Sequence, residues 1–282
     1  MTNNEPYIFI IDLDGTIIGD CSYQVILYNL EELCKKHKIK IKDSLLIDSY
    51  KPNSKLMRPF FKYFISHIKK QYPNSLFYVY TASEKDWAYK EIGMIEKTHG
   101  FKFDRPIFTR DDCIEDSFGN YRKSVKKILP KIVKANKKYT INTEKLLVID
   151  NSDVFIDYKA NFLLCPTYNY VLFCDVWDRM KKEYMKIMEI YQIIKNLIAT
   201  NKVCKYCNYS SNGNPSSTLI DGKQLENKHK WLYKKHKKIN SMNRKYIGDM
   251  FWKILAHAIT DKNMTLFDKE CVESLQKIVM SK

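Results

Sequence analysis

The stretch YIFIIDLDGTIIGD, Tyr7 to Asp20, decides the fold. Its first half is an unbroken apolar run rich in Ile and Phe, the pattern of a strand buried on both faces. Directly behind it stand two carboxylates, Asp12 and Asp14, and then Gly15. Taken alone, DLDGT reads equally as a polar turn after a strand or as a catalytic pair. It is not an EF-hand loop, because Thr16 and Ile17 fill the positions where that loop needs an acidic residue and a glycine.

Two further runs repeat the pattern. LFYVYT ends at Thr81, and KLLVID ends at Asp150 with Asn151 next. FDRPIF and NFLLC are weaker strand candidates. Helical spacing fills the intervals: SYQVILYNLEELCKKH puts Ile26, Leu30, Leu33 and Cys34 on one face, LMRPFFKYFISHIKK precedes the second strand, and VKKILPKIVKA precedes the third. Strands alternating with helices predict an α/β domain, a parallel sheet with helices on its faces. This domain is expected over residues 1–178. Residues 179–282 are expected to form a basic helical extension, with Met180, Tyr184, Ile187, Met188, Tyr191, Ile194 and Ile198 at helical spacing. A Ser- and Asn-rich loop follows, then the helical stretches MFWKILAHAI and TLFDKECVESLQKIV.

With 282 residues, 45% hydrophobic and 13% aromatic, the chain can bury a core, which argues against wholesale disorder. No run approaches the roughly 20 apolar residues of a membrane span. The amino-terminal MTNNEPYIFI lacks the basic-then-apolar order of a secretory signal. The expectation is an intracellular chain with reduced cysteines, in the nucleus, a viral factory or a virion. The net charge of +16 is uneven, since residues 179–282 carry 21 of the 48 Lys and Arg but 9 of the 32 Asp and Glu. A basic extension suits a polyanionic partner, an acidic protein or nucleic acid, and reads equally as a solvated surface.

In an open parallel sheet, ligands bind beyond the carboxyl ends of the strands. If the three strands are neighbours, Asp12, Thr81 and Asp150–Asn151 meet there. Phosphoryl transfer needs a nucleophile, an acid for the leaving oxygen, a cation and donors for the phosphoryl oxygens. Asp12 can be the nucleophile. Asp14, lifted by the turn at Gly15, can protonate the leaving group and then activate water. Oxygen ligands from Asp12, Asp14, Asp150 and Asn151 suit Mg2+. After Thr81 and Ala82, Ser83 and Asp86 resemble a capping box, which would turn backbone N–H groups and the Thr81 hydroxyl towards a phosphate. Lys123, in GNYRKS, can neutralise the remaining charge. Rival phosphate chemistries lack their marks: no Cys is followed six residues on by Arg, and neither G-x-x-x-x-G-K-[ST] nor G-x-G-x-x-G occurs.

DLDGT, MRPFFKYF, VYTASEKDWAYK, TRDDC, GNYRKS and LLVIDNSDVFIDYKANFLL appear in this order over residues 7–175. Together they resemble the haloacid dehalogenase superfamily, and within it the FCP/SCP branch of RNA polymerase II carboxy-terminal-domain phosphatases, also called NLI-interacting-factor-like phosphatases. The resemblance implies a Rossmann-like fold without a large cap. It implies Asp12 as nucleophile, Asp14 as general acid and base, Thr81 and Lys123 on the phosphate, and Mg2+ on Asp12, the Asp14 carbonyl and Asn151 with Asp150 close by. It also implies phosphoserine or phosphothreonine in a peptide as substrate. The chain departs from the family pattern at Gly15, where Glu is usual, at Ser124, where Asp is usual, and in a longer basic segment after GNYRKS. A catalytically silent module docking in a transcription or capsid assembly, and a phosphatase for nucleic-acid 3′ ends, are the competing readings. The Lys-, Asn-, Ile- and Tyr-rich composition resembles proteins of AT-rich genomes such as large DNA viruses or protists.

The extension holds one CxxC, Cys204 and Cys207, a candidate for Zn2+. His229 and His236 lie seven apart, about 10 Å along a helix axis, and no second CxxC follows, so four ligands at workable spacing are not evident.

Overall fold

The computed structural model describes residues 4–20, 50–51, 54–171 and 241–281. They fall into two compact units: one of Met1–Gly19, Tyr50–Asn169 and Gly248–Lys282, the other of Asp20–Ser49 and Tyr170–Ile247. In the second unit the described residues are few. There, the Asn243 side chain accepts from the Val171 amide at 3.0 Å and donates to its carbonyl at 2.9 Å.

The first unit is built on a four-stranded parallel sheet: β1 (Ile8–Ile11), β2 (Leu76–Val79), β5 (Leu146–Asp150) and β6 (Phe162–Leu164), in the order β2-β1-β5-β6. Ile8 pairs with Leu76 on one side and Leu146 on the other, so the three strong apolar runs are neighbours in register. Every residue of β1, β2 and β5 is buried, because helices cover both faces. On one face Ile8, Ile10, Tyr78 and Tyr80 meet Val125, Ile128 and Ile132 of α3 (Val125–Ala135). On the other, Phe9 stacks on Phe77 at 5.0 Å and meets Phe64 of α1 (Phe61–Gln71) at 5.5 Å. Helix α2 (Lys85–His99) follows β2, and a hairpin of β3 (Ile114–Glu115) and β4 (Tyr121–Arg122) precedes α3. NFLLC forms β6 as expected. FDRPIF does not form a strand and leaves only a bridge between Tyr80 and Phe108; Pro106 has no N–H to give a ladder.

The chain ends on the sheet. α4 (Phe251–Asp261) and α5 (Lys269–Met280) were expected within a separate extension, but they belong to the sheet unit. Trp252 wedges between Phe61 and Phe64 at 4.8 and 4.9 Å. The apolar stripe Phe251, Trp252, Leu255, Ile259 needs a partner, and α1 supplies it. The Gln276 side-chain amide pairs with both backbone groups of Leu164 on the edge strand, at 2.9 and 2.7 Å, and so closes an edge otherwise open to another chain. Arg58, 1% exposed, ties this closure down. It forms a two-pronged pair with Asp249 at 3.0 and 2.9 Å, donates to the Pro166 carbonyl at 2.8 Å and lies over the Phe251 ring. Among the described residues, no helix is long and apolar enough to cross a membrane.

Candidate active site

The carboxyl ends of β1, β2 and β5 lie side by side, and the chain leaves each with a polar residue. Asp12 extends the ladder by one residue, its amide donating to the Ile149 carbonyl at 2.9 Å. The backbone then folds back: Gly15 donates to the Ile18 carbonyl at 2.8 Å, and Ile17 and Ile18 both donate to that of Leu13. Gly15 sits at φ +82°, a conformation that favours glycine, and a Cβ there would lie 2.8 Å from Asn151 Nδ2, so a side chain at this position would push on the Asn151 amide. The turn and the pair of carboxylates are therefore the same object.

Lys123 joins two strand ends. Its ammonium donates to Asp12 Oδ1 at 2.6 Å and to Asp150 Oδ2 at 2.7 Å, and all three side chains are buried. Burial pulls the lysine towards neutrality, but the two carboxylates outweigh it and hold Lys123 protonated, above its ordinary range. Burial, then the charge of Asp12, raises the Asp150 carboxyl. Asp150 Oδ1 accepts from the Ser152 amide at 2.8 Å.

Asp14 lies on the β2 side. Its Oδ2 accepts from the Thr81 hydroxyl at 3.2 Å and the Ser83 hydroxyl at 2.7 Å. Burial, then the neighbouring Asp12 charge, pushes this carboxyl well above the usual range, and the two hydroxyls offset that only in part. The expected capping box is not formed. The N-cap of α2 is Glu84, without a side-chain bond, and the Ser83 hydroxyl goes to Asp14 instead. Thr81 Oγ1 also accepts from the Ser83 amide at 3.1 Å, while the Ala82 carbonyl accepts from Arg110 Nε at 2.9 Å.

Asn151 and Thr16 complete the cluster. Thr16 donates towards Asp12 Oδ2 at 3.0 Å and Asn151 Oδ1 at 3.2 Å. The inner end of the Asn151 amide is 3.1 Å from the Asp14 carbonyl oxygen and 3.3 Å from Asp12 Oδ2. With nitrogen inward, the amide donates to both. With oxygen inward, three oxygens face one another, spaced close to the about 3 Å between adjacent ligands of an octahedral ion bound at 2.0–2.1 Å. The donor set therefore fits a small hard cation. Among the described residues no group of three or more His, Cys, Asp or Glu side chains is arranged for a metal. Such an ion would accordingly rely on carbonyl and amide oxygens beside the carboxylates.

The structure thus brings together Asp12, Asp14, Thr81, Lys123, Asp150 and Asn151. Sequence reasoning passed over Thr16 and Ser83 as partners, although both stand inside quoted motifs. Cys204, Cys207, His229 and His236 lie outside the described residues.

A model of the NLI interacting factor-like phosphatases matches residues 7–203. The chain belongs to that family. Its members are phosphatases, so the motif order in the sequence pointed to the right family. Among solved structures, the RNA polymerase II CTD phosphatase Fcp1 is similar at 17% identity and TM-score 0.36, covering 96% of this chain and 69% of that one. A fission yeast Fcp1 variant bound to beryllium fluoride is similar at 15% and 0.36, over 96% and 70%. A phosphoserine phosphatase holding an analogue of its phospho-aspartyl intermediate is similar at 16% and 0.28, over 51% and 78%. No curated protein matches the chain.

Proposed function

We propose that the chain is a magnesium-dependent protein Ser/Thr phosphatase working through an aspartyl-phosphate on Asp12. The observation that carries this reading is the Asp14 carboxyl. It is half-buried beside Asp12, its proton affinity is raised, and it is held by the Thr81 and Ser83 hydroxyls. A carboxyl whose affinity for its proton is raised is suited to giving that proton to a departing serine or threonine oxygen.

In the first step an Asp12 oxygen attacks phosphorus, the bond from phosphorus to the substrate oxygen breaks, and the Asp14 proton passes to that oxygen. In the second, Asp14, now a carboxylate, takes a proton from water as the water oxygen attacks phosphorus and the bond from phosphorus to the Asp12 oxygen breaks. Inorganic phosphate leaves and Asp12 is restored. Lys123 holds positive charge beside Asp12 throughout, and Thr81 steers the Asp14 carboxyl. Mg2+ would be held by Asp12, the Asp14 carbonyl and Asn151 with Asp150 near, and when bound it offsets the charge of the phosphoryl oxygens. A phosphoserine or phosphothreonine peptide from a transcription-related protein, such as an RNA polymerase carboxy-terminal repeat, is the substrate of choice under this reading.

The test is phosphate release from such a peptide and from a 3′-phosphorylated oligonucleotide, with and without magnesium, beside Asp12→Asn. Magnesium-dependent release from peptide, abolished by Asp12→Asn, supports the proposal. Release from oligonucleotide alone turns the chain into a nucleic-acid end phosphatase. No release from either leaves a docking module.

A further inference from the structure

Lys123 does not stand on the sheet. Asp12, Thr81 and Asp150 are carried to the site by strand ends, whereas Lys123 lies between the β3–β4 hairpin and α3. Its 2.6 and 2.7 Å contacts with Asp12 and Asp150 therefore depend on whatever holds the start of α3.

That hold comes from the loop after β5. The Lys123 amide donates to the Val154 carbonyl at 3.0 Å, and the Ile156 amide donates to the Lys123 carbonyl at 3.0 Å. One residue further on, Asp157 reaches across the helix start. Its Oδ1 accepts from the Val125 amide at 2.8 Å, and its Oδ2 accepts from the Ser124 hydroxyl at 2.5 Å and the Lys126 amide at 3.4 Å. Ser124 is itself the N-cap, accepting from the Lys127 amide at 3.2 Å. The first turn of α3 holds Lys126 and Lys127 and no acid, the wrong charge for the positive end of a helix. Asp157 brings the missing negative charge from a different segment, and binds donors that the helix leaves free.

We propose that Asp157 is a positioning residue for Lys123: by fixing the first turn of α3 against the loop after β5, it sets the lysine ammonium between Asp12 and Asp150. The proposal rests on the phosphatase reading of the site. Since Lys123 faces charge that grows during phosphoryl transfer, its misplacement lowers turnover more than ground-state affinity. A purely structural carboxylate would lower the melting temperature and leave kcat of the folded fraction alone.

The experiment measures kcat and KM for p-nitrophenyl phosphate with magnesium, at a temperature where a melting curve shows each variant folded. Asp157→Ala is expected to lower kcat more than fivefold with KM within threefold. Ser124→Asp added to that variant puts a carboxylate on the same helix start from within the helix, where Asp caps as well as Ser, and is expected to restore kcat to within fivefold of wild type. Should Asp157→Ala not fold, Asp157→Asn, which keeps shape and an acceptor oxygen but not the charge, takes its place under the same thresholds. A fall in kcat of less than fivefold, or a loss that Ser124→Asp leaves in place, overturns the inference. An inactive wild type would instead overturn the phosphatase reading on which the inference stands, and both would go.

Discussion

Replacing Lys123 by methionine tests the centre of the site through stability as well as activity. The substitution keeps an unbranched chain of similar reach and removes the charge that both Asp12 and Asp150 face at 2.6 and 2.7 Å. The side chains are 2%, 8% and 2% exposed, so water cannot take the lysine's place without opening the core. Removing one partner from a buried ion pair costs about 3–5 kcal/mol, because the remaining charge is stranded. For a domain of this size that is a fall in Tm of about 6–20 °C. The loss is expected to depend on pH. Asp150 is raised by burial and by the Asp12 charge, and Lys123 opposes that rise; without the lysine its carboxyl binds a proton more tightly folded than unfolded, so the folded variant gains protons first as pH drops. Stability of the variant relative to wild type then rises as pH falls from neutral towards about 4, the unfolded carboxylate value. Urea unfolding of both proteins in metal-free buffer at several pH values between 8 and 5 measures this. A deficit under about 1 kcal/mol at pH 8, or one that does not shrink on acidification, would refute a buried three-membered pair.

Gly15→Ala is expected to lower phosphatase activity at least tenfold, since the new Cβ would press on Asn151 Nδ2 at 2.8 Å and φ +82° disfavours any side chain; parallel activity and melting curves read both effects. Arg58→Ala leaves Asp249 and the Pro166 carbonyl without their partner and is expected to cost about 3–5 kcal/mol in urea unfolding. His99 is buried, its Nε2 lies 2.6 Å from the Tyr50 carbonyl, and burial lowers its pKa below the ordinary value. The unfolded chain therefore binds a proton first on acidification, so this contribution is complete above about pH 6.5 and is lost as pH falls below it; His99→Gln should flatten the slope of Tm against pH in that window.

The three buried strands were readable because burial on both faces leaves a mark in every residue, as in Ile8–Ile11 and Leu146–Asp150. The polar residues that end them were readable for the same reason, since a parallel sheet presents its carboxyl ends together. Local pattern failed where one residue type serves two ends. Ser83 has the spacing of a helix cap, yet its hydroxyl bonds a carboxylate 69 positions earlier. Asp157 lies in a stretch quoted for Asp150 and Asn151, and nothing nearby marks it as a partner for the start of a helix 32 residues before it.

The sequence by itself determined the strands, their polar ends, the glycine turn and the excess of positive charge, all set by neighbours within a few positions. Only the tertiary structure decided which segments share the site and where the chain ends. Arg58 and Asp249 meet across 191 positions and draw the last two helices onto the sheet. Lys123 reaches Asp12 across 111 and Asp150 across 27. Such contacts depend on burial and on charges that must find a partner once water is excluded, and no local spacing records which partner that is.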